Sequence, residues 1–201
     1  LGVKMIPELK SADSQTVEAI FGSQQEYAQQ LIDDYKDAGI NPAELYPQSF
    51  NLADVDYWLQ HEPEFGKQSV WLDGRFQNPQ FRTDDSDSWS PSMDSLVERG
   101  VQFIAPPIWM LLASGERGIE PSHYALAARL AGLQIIPWTF ERSPPLGAAK
   151  SWYYQSAENW VHREGDRYEV LHRLVEQVGI RAIFTDWAAT TTFYANCMDL
   201  H

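Results

Sequence analysis

Short apolar runs alternate with longer stretches of helical periodicity along this chain, and the alternation repeats. The first run, with Val3, Met5 and Leu9 apolar, closes on Lys10-Ser11 and reads as a buried strand. From about Thr16 to Ala38, Tyr27, Leu31, Tyr35 and Ala38 recur at helical spacing, predicting an amphipathic helix ended by Gly39 and Pro42. Leu45 to Phe50 reads as a second strand, and Asn51 as the cap of a helix through about His61 that carries Leu52, Val55 and Leu59. Gln68 to Leu72 gives a third strand, followed by a polar loop from Phe76 to Pro91 and a short helix from Ser92 to Arg99 closed by Gly100. Val101 to Ala105 is a fourth, with a helical segment around Ile108 to Leu112 after Pro106-Pro107. Pro121 to Ala131 predicts a helix packing Tyr124, Leu126, Ala127 and Leu130, and Leu133 to Trp138 a fifth strand. A long aromatic loop, Phe140 to Asp166, leads to a helix with Tyr168, Leu171, Leu174, Val175 and Val178 on its apolar stripe. Gly179 stops that helix, Arg181 to Thr185 is a sixth strand, and Ala188 to Met198 a final helix.

Strand-then-helix units in series imply parallel strands joined by right-handed crossovers, in a doubly wound sheet or a (β/α) barrel. No Gly-x-Gly-x-x-Gly follows a strand and there is no P-loop, so the usual sign of nucleotide binding on an open sheet is missing. The strand ends read Glu8 and Lys10, Gln48 to Phe50, Asp73 and Arg75, Trp138 to Glu141, and Thr185 to Trp187. Polar and aromatic strand ends form the site of a barrel, so the expected fold is an α/β TIM-type barrel, with residues 1–201 as a single domain. A closed barrel takes eight strands, and six units leave it two short.

Composition narrows the partners. With 44% hydrophobic residues among 201 and eight tryptophans, the chain can bury a core and still leave rings for a binding surface. The formal charge of −13 repels nucleic acid and anionic lipid, so an anionic group in a substrate needs a local positive site. Cys197 is the only cysteine, which excludes an internal disulfide and a zinc cluster. The longest apolar run, Phe103 to Ala113, is broken by two prolines and too short to span a bilayer. The text begins at Leu1 almost inside a strand, which reads as a truncation, a processing site or the start of a second segment. The compartment stays open, with a periplasmic or secreted location compatible.

The candidate chemistry begins at the first strand. Glu8 and Lys10 are two residues apart, so an extended backbone points both to one face. A carboxylate suits a hard cation and a lysine a phosphate, although an ion pair at a strand end would look the same.

The order Pro7-Glu8-Leu9-Lys10, Pro47-Gln48-Ser49-Phe50, Val70-Trp71-Leu72-Asp73, Pro137-Trp138-Thr139-Phe140 and Phe184-Thr185-Asp186-Trp187, with Tyr194-Ala195-Asn196-Cys197-Met198 at the end, resembles the glycerophosphodiester phosphodiesterase family. The resemblance covers the chain and corresponds to the last six of the family's eight barrel units. It implies a TIM barrel that hydrolyses glycerophosphodiesters to glycerol 3-phosphate and an alcohol with a divalent cation, calcium or magnesium. On the matching positions, Glu8 is the metal carboxylate, Lys10 faces the phosphodiester, and Phe50 and Trp138 pack near the glycerol. The family's two catalytic histidines, one in a His-Arg-Gly motif, have no counterpart among His61, His123, His162, His172 and His201, and the resemblance assigns no catalytic acid or base here. The isolated chain is therefore expected to be inactive, its partner being a second polypeptide segment or a second copy that completes the barrel.

Other groupings read more plainly. Asp84-Asp85-Ser86-Asp87 lacks the glycine and distal glutamate of a calcium loop and reads as solvated. Trp152-Tyr153-Tyr154 either lines a pocket rim or packs over helices, Asp186 either orients a pocket group or caps the next helix, and Asp73 pairs with Arg75 or serves the site. Two rival functions remain: a glycoside hydrolase using Glu8 with Glu141 or Asp186, and a non-catalytic binding fragment.

Overall fold

The computed structural model describes residues 3–142, 145–146 and 150–200. They form an α/β fold divided into two compact units: residues up to Gly74 with Pro91–Ile104, and Arg75–Ser90 with residues from Ala105 onward.

In the first unit the opening segment runs parallel to the chain that follows its helices. Met5 bridges Leu45 and Glu8 bridges Gln48, tied by Tyr46 N–H to Met5 O at 2.8 Å, Gln48 N–H to Pro7 O at 2.9 Å and Leu9 N–H to Gln48 O at 2.9 Å. Between them stand α1 (Ser14–Phe21) and α2 (Gln24–Asp37). The single helix expected from Thr16 to Ala38 is thus two. Gly22 takes φ +85, a left-handed conformation that ends α1, and the Ser23 hydroxyl accepts the Glu26 N–H to start α2. The broken rod folds back on itself, and Ala28 and Ile32 become fully buried.

Strand β1 (Gln48–Ser49) leads to α3 (Leu52–His61), capped by Asn51 as expected, then α4 (Pro63–Gly66) and β2 (Val70–Leu72). After the excursion into the second unit come α5 (Met93–Glu98), capped by Ser92, and β3 (Phe103–Ala105). The strands lie in the order β1-β2-β3, β1 and β2 parallel with Gln48 opposite Val70 and Ser49 opposite Trp71. Trp58, Leu45, Val55, Val70, Leu96 and Ile104 are fully buried, and each such side chain contributes about 1.5–3 kcal/mol of transfer free energy.

The second unit contains α6 (Ile108–Leu111), β4 (Leu112–Ser114), β5 (Ile119–Pro121), α7 (His123–Leu130), β6 (Gln134–Ile135), α8 (Asp166–Arg173) and α9 (Ala188–Cys197). Strands β4 and β5 form an antiparallel hairpin, an element the periodicity does not predict. Helix α7 buries Tyr124, Ala125 and Ala128, while Leu126 and Leu130, expected in its core face, are 45% and 89% exposed. The small alanines let a two-turn helix sit close to its neighbours, and the leucines fall on the opposite side of the cylinder. Helix α8 continues into a wider π turn over Leu174–Val178, and Val170, Leu171, Leu174 and Val178 are the residues it buries. Arg181 to Thr185 makes no regular strand; its ties are Arg181 N–H to Ile135 O at 2.8 Å, Phe184 N–H to Pro137 O at 2.9 Å and Phe140 N–H to Phe184 O at 3.0 Å. No helix of the described residues is long and apolar enough to cross a membrane.

Candidate functional site

Register decides which side chains of the first unit share a face. Glu8 pairs with Gln48 and Gln48 with Val70, so these three form a row, and the next residues of the same parity are Lys10 and Phe50. The Ser49 hydroxyl points the other way and donates to Asp54 Oδ2 on α3 at 2.8 Å. The Glu8, Gln48, Lys10 and Phe50 side of the strands is therefore the one that α3 does not cover. Asp73 follows Leu72 out of phase with this row; it is fully buried.

Glu8 and Lys10 meet as the spacing predicts, Nζ donating to Oε2 at 2.7 Å, with the lysine side chain 77% exposed and the glutamate 22%. The Tyr27 hydroxyl donates to Lys10 O at 3.1 Å and fixes the backbone just beyond. Gln48, which the sequence offered as a strand-end residue without a role, is buried beside Glu8; its amide N–H donates to Ile6 O at 3.1 Å while its carbonyl Oε1 is buried with no partner among the described residues. Pairing of the strands, not sequence proximity, brings it there. Phe50, half-buried, accepts the Trp71 indole N–H on its carbonyl at 3.3 Å.

The face thus offers one carboxylate and one amide oxygen. Both are hard donors of the kind magnesium accepts beside water and phosphate oxygens, so the face suits an ion shared with a phosphorylated ligand more than one caged by protein. Among the described residues no three His, Cys, Asp or Glu side chains gather to hold a metal.

The four described histidines are occupied elsewhere. His61 stacks on Tyr57 with ring centroids 4.4 Å apart, His123 Nδ1 lies 3.1 Å from Asp84 O, His162 Nε2 lies 3.0 Å from Asn159 O, and His172 Nδ1 lies 3.1 Å from the Tyr194 hydroxyl. His201 is outside the described residues. A depression of about 320 Å³ beside α1 and α2 is lined by Ile20, Phe21, Glu26, Gln29, Gln30 and Asp33.

In the second unit Trp138 ends the β6 segment, its backbone bridging Pro107 and its indole N–H donating to Ala105 O at 2.6 Å. Its ring stacks on Trp152 at 6.0 Å and meets Phe76 at 5.8 Å and Tyr153 at 6.2 Å edge to face. Trp152 is thus part of an aromatic cluster, held also by Phe76 at 5.3 Å, Trp109 at 5.9 Å and Tyr153 at 5.1 Å. Three residues on from Trp138, the buried Glu141 carboxylate takes the Thr185 hydroxyl at 2.7 Å and the Asp186 N–H at 3.0 Å. Those bonds tie Glu141 to the turn at Thr185-Asp186. Asp186 pairs with Arg142 at 3.1 Å and does not cap α9. This pairing raises the Arg142 pKa, through the hydrogen bond first and the carboxylate's charge second.

No family model matches the chain. An extracellular protein of Arthroderma benhamiae is 36% identical over 203 residues, which are 99% of this chain and 81% of that protein. Two solved structures share the fold. A protein from Silicibacter pomeroyi described as a glycerophosphoryl diester phosphodiesterase matches 98% of this chain and 52% of its own, with TM-score 0.61 and 15% identity. A glycerophosphodiester phosphodiesterase from Parabacteroides distasonis matches 97% and 58%, with TM-score 0.57 and 14% identity. The chain spans about half the length of these solved structures, and identities this low speak to the fold alone.

Proposed function

This chain belongs to the same family as the extracellular protein of Arthroderma benhamiae, and from that relation together with the fold it shares with two glycerophosphodiester phosphodiesterase structures we propose that it is an exported phosphodiester hydrolase of the glycerophosphodiester type. Its parallel strands are read as part of a TIM-type barrel, and its reaction as hydrolysis of a glycerophosphodiester to glycerol 3-phosphate and an alcohol. The observation that carries the reading is the Glu8–Lys10 pair on the strand face that α3 leaves uncovered, with an ammonium 77% exposed at a strand end.

On this reading Lys10 swings from Glu8 to the phosphoryl oxygens, where a compact positive charge offsets the charge that builds as the diester is attacked. Glu8 keeps the ammonium on the correct face until then and is the carboxylate offered to calcium or magnesium. A bound cation supplies Lewis-acid polarisation of the phosphoryl group. Gln48 adds its Oε1, without a partner among the described residues, beside Glu8. Phe50, in line with Lys10, offers an apolar edge to glycerol carbons, and Trp138 is assigned the same role in its own unit.

The test is glycerol 3-phosphate release from glycerophosphodiesters by the full-length protein. Lys10→Ala is expected to lower kcat/KM by about 100-fold or more, the scale for losing a charge that faces the transition state. Glu8→Gln is expected to lower it together with the response to added calcium or magnesium, and chelation to stop turnover. Turnover indifferent to Lys10→Ala and to EDTA would overturn the assignment.

A further inference from the structure

The aromatic cluster of the second unit is more than packing. Trp152 is wedged among Phe76, Trp109, Trp138 and Tyr153 at centroid distances of 5.1–6.0 Å, yet it remains 43% exposed. A ring with that much apolar face in water, held from behind by four others, is a preorganised platform: little side-chain freedom is left to lose when a ligand lands on it. Its backbone is equally fixed. The Trp152–Ala157 turn is pinned by Gln155 Nε2 to Trp152 O at 3.0 Å, by Ser114 Oγ to Ser156 O at 2.8 Å, and by the buried Tyr154 hydroxyl donating to Phe140 O.

Polar groups stand beside the platform. The Arg142 side chain, 68% exposed, pairs with Asp186, 36% exposed, at 3.1 Å, and lies close enough to the Tyr153 hydroxyl to interact with it electrostatically, the Tyr153 ring standing 5.1 Å from that of Trp152. Glu141 anchors the Asp186 backbone from below at 3.0 Å. An aromatic face flanked by a planar array of donors and by carboxylate acceptors matches a ring with one apolar face and a rim of hydroxyls. We propose that the second unit carries a subsite for a neutral hydroxylated six-membered ring, a sugar or cyclitol, stacked on Trp152 and hydrogen-bonded by Arg142 and Asp186. A quaternary ammonium also suits aromatic faces, but here it would sit beside the Arg142 guanidinium. Nucleobases stack as well, but they arrive on polyanions that a net charge of −13 repels. The ring has two sources, the alcohol of a phosphodiester or a glycan chain.

Binding to the full-length protein, read by calorimetry and by saturation transfer to ligand protons, tests this without reference to turnover. The probes are a β-glucan tetrasaccharide, glycerophosphoinositol, glycerophosphocholine and choline. Expected are binding of one of the two ring-bearing probes, tightest for glycerophosphoinositol if the ring is the diester's alcohol and for the tetrasaccharide if it is a glycan. Trp152→Ala should weaken that binding about tenfold or more, one good stacking contact being worth that much. Arg142→Gln, at an exposed position that leaves the ring cluster in place, should weaken it several-fold with an unchanged circular dichroism spectrum. Choline or glycerophosphocholine binding as tightly as the ring-bearing probes overturns the proposal, and so does ring binding indifferent to both substitutions. Loss of the phosphodiesterase assignment alone would leave tetrasaccharide binding at Trp152 intact.

Discussion

Trp58 and Trp109 differ in what their indole N–H groups meet. Trp58 is fully buried and donates to Ala28 O at 2.9 Å, linking α3 to α2. Trp109 Nε1 is buried with no acceptor among the described residues. Removing a satisfied donor costs the hydrogen bond and leaves a cavity, whereas removing an orphaned donor relieves a desolvation penalty that offsets part of the lost volume. Trp58→Phe is accordingly expected to cost about 2–4 kcal/mol and Trp109→Phe about 1 kcal/mol or less, as read from urea midpoints at constant slope. Asp54 gives a pH signature. Burial raises its carboxyl pKa above the ordinary 3.8, and hydrogen bonds from Gln24, Ser49 and Asn51 oppose the shift only in part. A carboxyl with a raised folded pKa binds more protons folded than unfolded between the two values. Its contribution to stability is therefore complete below about 3.8 and is lost as pH rises through the folded value. Asp54→Asn keeps an oxygen for Gln24 and Asn51 and should flatten that part of the stability profile above pH 4; an unchanged slope would show that Asp54 does not produce it. The same scale explains what the sequence made legible at the site. Glu8 and Lys10 meet because residues two apart on a strand share a face, a local rule. Gln48 and the cluster of Phe76, Trp109, Trp138 and Trp152 depend on contacts across dozens of residues, and no spacing encodes them.

Among the elements, caps were readable and crossings were not. Asn51, Ser92 and Ser122 each accept the backbone N–H that their position ahead of an apolar run implies. The break between α1 and α2 also had a local signal, Ser23 followed three residues later by Glu26, the pattern of a capping box. The continuing helical spacing of Tyr27, Leu31 and Tyr35 masked it. The hairpin of β4 and β5 turns through Gly115-Glu116-Arg117-Gly118, Gly115 N–H donating to Gly118 O at 2.9 Å, but three-residue strands are too short for alternation to register. Gly66 shows what a crossing demands. A Cβ there would lie 2.2 Å from Trp58 O and 2.7 Å from Leu59 N, so α4 packs on α3 with no room for a methyl group. Since backbone atoms and not a flexible side chain stand in the way, Gly66→Ala must push the two helices apart. The expected cost is about 3 kcal/mol, the upper range for overpacking, and a thermal midpoint within a degree or two of the parent's would refute the close crossing.

Charge acts on the whole molecule. Acidic residues outnumber basic ones by 28 to 15, so an anionic diester approaches against a repulsive field before it reaches Lys10. Screening changes the reach of that field, because the Debye length shrinks from about 30 Å at 0.01 M salt to about 8 Å at 0.15 M. Lys10 lies within a few ångströms of a bound phosphoryl group on the proposed reading, inside the Debye length at either salt, so its own attraction is screened less than the distant repulsion. For glycerophosphoinositol, which carries one negative charge, kcat/KM should therefore rise about three- to tenfold over that range, the lower end of electrostatic steering effects. Zwitterionic glycerophosphocholine, with no net charge to repel, should change less than about twofold under the same steering argument. On the proposed reading calcium or magnesium is kept saturating throughout, because the same negative field would concentrate it at low salt and mask the trend. A rate for the anionic diester that falls with salt would mean that local positive charge at the strand ends, and not the molecule's net charge, governs substrate capture.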